Sequence, residues 1–280
     1  MADARSKVDD QGWKTQPLAV LVSGGLDSAV LLADLAITAP KVVPIRVRFG
    51  LVWEEEEEKF LRRFLGALAN PSVADLVVFE MPIHSVYGPH WSTTGERIPG
   101  YDSPDEAVFL PGRNPLLLVQ AMVWCHLQGV RTIALGPLAS NPFPDSTDDF
   151  FDSFERSLNL ALEGKMHIKR PYARLSKREV LRRGASFPLQ YTLSCIHPRE
   201  GKHCGDCNKC HERQASFRDA GLADPTEYAL RIVGYPPSGM PRIWGFARWE
   251  FARAGFRGNS AWARSVFCTL SGLPERLQEK

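Results

Sequence analysis

A glycine-rich loop between a buried strand and a helix constrains this chain more than any other feature of its sequence. The apolar run at residues 18–22 leads directly into Ser23-Gly24-Gly25-Leu26-Asp27-Ser28 and then into an apolar helical stretch. Glycines let a backbone turn sharply and present bare N–H groups, serine hydroxyls add donors, and a helix N-terminus favours an anion. The order strand, loop, helix therefore predicts a phosphate-binding cradle.

This loop differs from the phosphate loop of kinases and GTPases. It lacks the ending Gly-Lys-Ser/Thr, so no loop lysine reaches the β- and γ-phosphates of a nucleotide. We interpret it as a loop that holds a departing pyrophosphate, not one that transfers a γ-phosphoryl group. An ordinary strand-to-helix turn rich in Gly and Ser is the structural alternative.

Strand-like and helix-like segments alternate along the chain, which is typical of an α/β fold with a doubly wound parallel sheet. The predicted strands lie at residues 18–22, 42–47, 75–80 and 132–135 and around residue 168. The predicted helices lie at residues 28–39, 54–69 and 113–128, after a cap at 145–147, and after a capping box at 176–179. We interpret the acidic run at residues 54–58 as a solvated helix start, with Glu54 or Glu55 facing the cleft as the alternative. The Pro- and Gly-rich residues 81–105 are interpreted as a lid or binding loop.

The net charge and the distribution of apolar residues exclude few functions, but they indicate where the protein is located. A net charge of +2 over 280 residues gives no overall attraction to nucleic acid or to an anionic membrane. No apolar run approaches the roughly 20 residues that a membrane-spanning helix needs, and the polar residues 1–16 lack the core of a signal peptide. We therefore expect a cytoplasmic protein that contacts no membrane.

Four cysteines fall close together near the end of the α/β region. Cys195, Cys204, Cys207 and Cys210 have the spacing Cys-x8-Cys-x2-Cys-x2-Cys, which lets four thiolates converge on one metal ion. We expect a closed, structural Zn²⁺ site, with an iron–sulfur cluster as the alternative, since a reducing cytoplasm disfavours disulfides. The remaining cysteines, Cys125 and Cys268, are interpreted as buried thiols.

Several further motifs occur in a fixed order along the chain. They are Pro111-Gly112-Arg113-Asn114, Pro144-Asp145, Leu175-Ser176-Lys177-Arg178-Glu179 and Cys204-Gly205-Asp206-Cys207-Asn208-Lys209-Cys210. The loop at residues 23–28 resembles the SGGxDS motif of the PP-loop ATP pyrophosphatases. Together with the later motifs, it makes residues 18–230 resemble the 7-cyano-7-deazaguanine synthase family of queuosine biosynthesis.

The resemblance implies a reaction and a set of site residues. ATP would adenylate the carboxylate of 7-carboxy-7-deazaguanine, and ammonia would displace AMP to give an amide that a second activation dehydrates to a nitrile. Ser23, Gly24, Gly25, Leu26, Asp27 and Ser28 would bind the polyphosphate of ATP, with Asp27 placing Mg²⁺ and Lys177 neutralising the leaving pyrophosphate. Arg113, Asn114 and Asp145 would line the substrate cleft, where Asp145 is either an N-cap alone or also a reader of the guanine-like face.

On this basis we divide the chain into four regions. Residues 1–16 form a disordered N-terminus, residues 17–185 a PP-loop ATP-binding α/β domain, and residues 186–230 a helical zinc-binding region. Residues 231–280 form an extension rich in Arg and aromatic side chains. We expect this extension to cover the core or to form a homodimer surface, with a protein or RNA partner as the alternative.

The chain departs from the family at one place in the predicted cleft. Where the family carries a polar run after the second strand, this chain has Leu51-Val52-Trp53. Three other readings therefore stay open: an amide synthase or ligase that joins the activated acid to an amine, such as a partner protein's N-terminus; a tRNA-modifying PP-loop enzyme; and a non-catalytic ATP-binding module. The sequence shows no glutaminase segment, so ammonia or an amine has to come from solution or from a partner.

Overall fold

A parallel five-stranded sheet forms the centre of the protein. The computed structural model describes residues 15–230. The strands are β1 (Leu18–Leu21), β2 (Val42–Arg48), β3 (Val77–Glu80), β4 (Thr132–Ala134) and β5 (His167–Lys169), in the order β3-β2-β1-β4-β5. Every neighbouring pair is parallel, so the predicted doubly wound α/β fold is confirmed.

Helices connect the strands, and two more follow the last strand. They are α1 (Leu26–Thr38), α2 (Glu54–Leu68), α3 (His84–Tyr87), α4 (Trp91–Thr94), α5 (Arg113–Leu127), α6 (Asp148–Leu162), α7 (Lys177–Arg183) and α8 (Asn208–Ala220). Within the predicted cap at 145–147, Thr147 is the N-cap of α6, and the predicted capping box of α7 is formed between Ser176 and Glu179.

The central strand is buried on both faces, as a parallel strand between two helical layers requires. Along β1, Leu18 and Val20 pack in one hydrophobic cluster with α1 and α7, while Ala19 and Leu21 pack in another with α5. All four residues are at most 6% exposed. Successive side chains of β1 therefore point to opposite faces of the sheet, with α1 and α7 on one face and α5 on the other.

Three of the five glutamates at the start of α2 are buried, so the prediction of a solvated run was wrong for these three, whereas Glu55 is exposed. Glu54, Glu57 and Glu58 are only 7%, 7% and 6% exposed. The Glu54 carboxylate accepts hydrogen bonds from three consecutive backbone N–H groups, those of residues 49–51. Arginines of β2 bind the other two carboxylates: Arg46 lies 3.2 Å from Glu57, and Arg48 lies 2.6 Å from Glu58. Because buried charges need partners of opposite sign, these arginines explain why Glu57 and Glu58 face inward.

The long stretch at residues 81–105 is held in place by the first turns of α8. Asn208 N–H donates to the carbonyl of Pro99 at 3.2 Å, and the ring of Tyr101 stacks on His211 with ring centroids 4.0 Å apart. α3, α4 and a short 3-10 helix at Asp105–Val108 interrupt the stretch. It is therefore a packed loop over one end of the sheet in this structure.

Our expectations for residues 1–14, for residues 231–280 and for Cys268 concern parts of the chain outside the described residues. In residues 15–230, no helix combines the length and the apolar character that crossing a membrane requires.

Candidate active site and metal centre

A cleft of about 370 Å³ opens at the carboxyl ends of the strands. β1 lies between β2 and β4, and the chain connections reverse direction across the sheet at the boundary between β1 and β4. Open parallel sheets bind ligands at such a switch point. The loops after β1, β2 and β4 line the cleft together with the starts of α5, α7 and α8.

The glycine-rich loop after β1 forms the floor of this cleft. Its conformation is held from within: the Ser23 Oγ accepts the Gly25 N–H at 3.0 Å, and the Ser28 hydroxyl donates to the Gly25 carbonyl at 3.1 Å. The Gly24 N–H has no hydrogen-bond partner among the described residues. α1 begins immediately afterwards, at Leu26, so its positive end also faces the cleft. The loop has the local features of an anion-binding site.

Gly24 cannot be replaced without displacing this loop. Its φ is +101°, and a Cβ at this position would lie 2.6 Å from the backbone oxygen of Glu57. We expect Gly24→Ala to lower the free energy of unfolding by about 1–3 kcal/mol and to weaken ATP binding. Gly66→Ala is the matched control, because Gly66 lies in α2 with no atom within 4 Å of the added Cβ, and it should be neutral or stabilising. Denaturant unfolding curves compare the two; equal stability of both variants would contradict the prediction.

An alternating row of charges runs from the loop to α8. The Lys177 Nζ lies 2.6 Å from Asp27 Oδ2 and 3.4 Å from Glu212 Oε1, and Glu212 in turn lies 2.7 Å from Lys209. Asp27 Oδ1 is buried and has no hydrogen-bond partner within residues 15–230. The structure thus brings the predicted residues Asp27 and Lys177 into direct contact and adds two residues that the sequence did not single out.

The pKa shifts of this row follow from its charges. Burial opposes the charged form of Lys177, but the carboxylates of Asp27 and Glu212 outweigh this effect and raise the pKa of Lys177. The positive charge of Lys177 lowers the pKa of Glu212 to about 2. Lys177 and Glu212 are therefore both charged at neutral pH, and the cation beside the glycine-rich loop is paired with two carboxylates.

The predicted cleft residues at the start of α5 form a second unit. The Asn114 N–H donates to Asp145 Oδ2 at 3.0 Å, and the Asn114 Nδ2 donates to the Asp145 carbonyl at 2.8 Å. Arg113 also lines the cleft, and its Nε is buried without a hydrogen-bond partner. Asp145 therefore caps the start of α5 rather than α6.

Two stacked aromatic pairs form the apolar part of the cleft wall. Trp53 stacks on Trp91 with ring centroids 5.6 Å apart, and Phe109 stacks on Phe143 at 4.8 Å. All four residues line the cleft. Of the apolar run that departs from the family, Trp53 alone lines the cleft, while Val52 is 43% exposed and Leu51 is buried outside it.

The four predicted cysteine ligands converge beneath α8. The sulfur atoms of Cys195, Cys204, Cys207 and Cys210 all lie within 4.8 Å of one another, and all four residues are buried. Backbone N–H groups point at the sulfurs, as from Gly205 to Cys210 Sγ at 3.4 Å. Such a cluster fits a metal ion with four thiolate ligands.

The nearby histidines have other partners. The His203 Nε2 accepts the Ser194 N–H at 3.1 Å, and burial lowers the pKa of His203 to about 2. His211 Nδ1 lies 2.8 Å from the Tyr101 carbonyl oxygen. Cys125 is fully buried away from the cluster, and its burial raises its pKa to about 12, so it is a structural thiol.

Comparisons with known proteins identify the family of this chain. The sequence model of the family described as "Queuosine biosynthesis protein QueC" matches residues 18–221. The chain belongs to the QueC family. The resemblance seen in the sequence is thereby confirmed, and every site residue described above lies inside the matched segment.

Two relatives of this QueC-family chain carry the same name. The 7-cyano-7-deazaguanine synthase of Nitrosomonas eutropha is 31% identical over 233 residues, which cover 75% of this chain and 96% of that protein. The enzyme of the same name from Syntrophobacter fumaroxidans is 33% identical over 227 residues, with coverage of 75% and 94%. Among solved structures, a predicted subunit of tRNA methyltransferase from Methanocaldococcus jannaschii aligns with a TM-score of 0.41 and 15% identity over 61% of this chain and 75% of that one.

Proposed function

We propose that this protein is an ATP-dependent 7-cyano-7-deazaguanine synthase of queuosine biosynthesis. The observation that carries the proposal is the pairing of Asp27 with Lys177 at 2.6 Å on the edge of an anion-binding loop, in a chain of the QueC family. The names of its relatives, 7-cyano-7-deazaguanine synthases, supply the product. We place this enzyme in the cytoplasm, where reducing conditions keep the four clustered cysteines from forming disulfides.

The reaction joins nitrogen to an activated carboxylate. An oxygen of the carboxylate of 7-carboxy-7-deazaguanine attacks the α-phosphorus of ATP, the bond to pyrophosphate breaks, and an acyl adenylate forms. Ammonia adds to the acyl carbon, loses a proton and displaces AMP, which leaves the amide. The amide oxygen attacks the α-phosphorus of a second ATP, pyrophosphate leaves again, and loss of AMP and of both amide protons gives the nitrile.

The residues of the loop assist by position and charge. Catalysis of this kind needs no protein nucleophile, but it needs the reacting groups held in line and the charge of the leaving pyrophosphate neutralised. The cleft-lining loop residues Ser23, Gly25 and Ser28 and the N-terminus of α1 suit the polyphosphate, and Lys177 suits the leaving pyrophosphate. The unpartnered Asp27 Oδ1 suits a Mg²⁺ ion, which would neutralise phosphate charge when bound.

The opposite side of the cleft suits the deazaguanine. A planar heterocycle packs well against the stacked aromatic pairs, and the Asp145 and Asn114 units offer the hydrogen bonds that a guanine-like edge requires. Arg113, with its buried free Nε, suits the carboxylate or the α-phosphate.

At the cysteine centre we propose Zn²⁺. Four thiolates complete a tetrahedral coordination shell and leave no open position, so the ion would stabilise the fold and take no part in the chemistry.

The mass of the product tests the proposed function. Incubated with 7-carboxy-7-deazaguanine, ATP and ammonium, the protein is expected to yield the nitrile, with the amide as an intermediate that is one water heavier. Mass spectrometry separates the two, and reactions without ATP or without ammonium are the controls. Accumulation of amide without nitrile would support the amide-synthase alternative, and the absence of adenylate, amide and nitrile would overturn the assignment of the substrate.

A further inference from the structure

Arg46 places a buried positive charge directly beneath the glycine-rich loop. It lies on β2 between the apolar residues Ile45 and Val47, and it is only 1% exposed. Central positions of a parallel strand are normally apolar, because helices cover both faces. A charged side chain at this position therefore calls for an explanation beyond packing.

The guanidinium of Arg46 connects the loop to the start of α2. Its Nη1 donates to the carbonyl of Ser23, and its Nη2 donates to the carbonyl of Glu54 at 2.9 Å and to Glu57 Oε2 at 3.2 Å. A second carboxylate, that of Glu58, also faces the guanidinium, and its Oε2 lies 3.5 Å from Arg46 Nε. One side chain thus holds the first residue of the loop against the helix that packs beside it.

The hydrogen bond to Ser23 orients the next peptide group. In a trans peptide the carbonyl oxygen and the following N–H point in opposite directions. Because Arg46 holds the Ser23 carbonyl on the inner side, the Gly24 N–H points away from Arg46, and it has no partner among the described residues. The close approach of Gly24 to the backbone of Glu57 keeps the loop from rotating.

We propose that Arg46 is a positioning residue for the polyphosphate of ATP. Through its hydrogen bond to the Ser23 carbonyl it fixes the peptide between Ser23 and Gly24, and so holds the loop, whose residues Ser23 and Gly25 line the cleft, in the conformation that the polyphosphate meets. The inference rests on the proposed function only in that ATP is the ligand.

The experiment compares ligands with and without phosphate. Binding of Mg-ATP, inorganic pyrophosphate and adenosine is measured by calorimetry for the full-length wild type, for Arg46→Lys and for the double variant Arg46→Gln/Glu57→Gln. Removing one partner of a buried ion pair usually destabilises a protein, because the other charge is left unpaired. The double variant avoids this by removing both charges. Arg46→Lys retains the charge, but a single ammonium cannot replace the two arms of the guanidinium.

We expect both Arg46 variants to bind ATP and pyrophosphate about ten-fold more weakly or worse, with adenosine affinity unchanged. The KM for ATP should rise while the KM for the acid substrate stays the same. Arg48→Gln is the matched control, since Arg48 lies on the same strand, pairs with Glu58 and Glu80, and does not contact the loop; it should bind all three ligands as the wild type does.

Two results would overturn the inference. One is wild-type affinity for ATP and pyrophosphate in either folded Arg46 variant. The other is an equal loss of ATP and adenosine binding, which would indicate a structural role alone. If the double variant fails to fold, Arg46→Lys decides. A protein that forms no nitrile but loses phosphate binding selectively in these variants would refute the proposed function and leave this inference standing.

Discussion

Asp27→Ala is expected to abolish pyrophosphate release while the protein stays folded. The substitution removes both the oxygen that pairs with Lys177 at 2.6 Å and the buried Oδ1 that has no partner and suits Mg²⁺. Loss of one preorganised electrostatic group at a reacting centre commonly costs about 100- to 1,000-fold in kcat, and here two functions are lost together. Lys177 keeps Glu212 as a partner, so no buried charge is left unpaired.

Asp34→Ala provides a matched control for this prediction. Asp34 lies on the same helix, its side chain is 31% exposed against 27% for Asp27, and it also pairs with a basic residue of α7, Arg183 at 3.3 Å. We expect it to lower stability slightly, through loss of its hydrogen bond with Tyr172, and to leave turnover intact. A pyrophosphate-release assay at saturating Mg²⁺ and ATP compares the two. Normal turnover in Asp27→Ala would remove the glycine-rich loop from the mechanism.

Features that are contiguous in sequence could be predicted. The loop at residues 23–28 and the cysteine spacing each bring their functional groups together within a few residues, so local geometry alone indicates a site. The sheet was predictable because each strand and each helix is indicated by the apolar pattern of its own residues. The prediction of Lys177 and of Asn114 with Asp145 depended on family resemblance, because residues so far apart in sequence meet only in the fold.

Features that depend on tertiary contacts could not be predicted. Glu54, Glu57 and Glu58 look like a solvated run because helix starts favour acidic residues. The burial of Glu57 and Glu58 follows from Arg46 and Arg48 on the neighbouring strand, and no local pattern reveals that pairing. Glu54 is buried because its carboxylate binds the backbone N–H groups of residues 49–51. A weak signal was present, since two arginines alternate with apolar residues within β2, and a buried strand that carries charges needs partners nearby.

Glu212 and Lys209 were missed for a related reason. They lie one turn apart on α8, beside Cys210 of the cysteine cluster, where the sequence suggests only a metal-binding segment. In the fold, that helix carries them to the edge of the nucleotide cleft. The cysteine centre therefore bears on the active site through the helix that it starts.

Cys207→Ser is expected to cause loss of metal and of the folded state. Cys207 is the N-cap of α8 and one of four buried sulfurs within 4.8 Å of one another. Structural Zn²⁺ contributes about 10–16 kcal/mol of apparent binding free energy, comparable to the whole stability of a typical domain, and a serine hydroxyl is a poor ligand for it. α8 also carries the buried Arg213, which binds Thr192 and Thr226, so its release disrupts the contacts around residues 189–226.

Cys125→Ser separates the loss of metal from the general cost of burying a hydroxyl. Cys125 is as buried as the ligands but lies in the apolar core, so its serine variant should keep its metal and lose only about 1–3 kcal/mol of stability. Elemental analysis and melting temperature are measured for both variants and the wild type. We expect about one Zn²⁺ per chain in the wild type and in Cys125→Ser, and none in Cys207→Ser, which should aggregate. Iron with acid-labile sulfide in the wild type would identify a cluster in place of Zn²⁺, and normal metal content and melting temperature in Cys207→Ser would refute the structural role.

Loss of the metal should also affect the nucleotide cleft. Because α8 holds Glu212 against Lys177, any Cys207→Ser protein that remains soluble should bind ATP poorly.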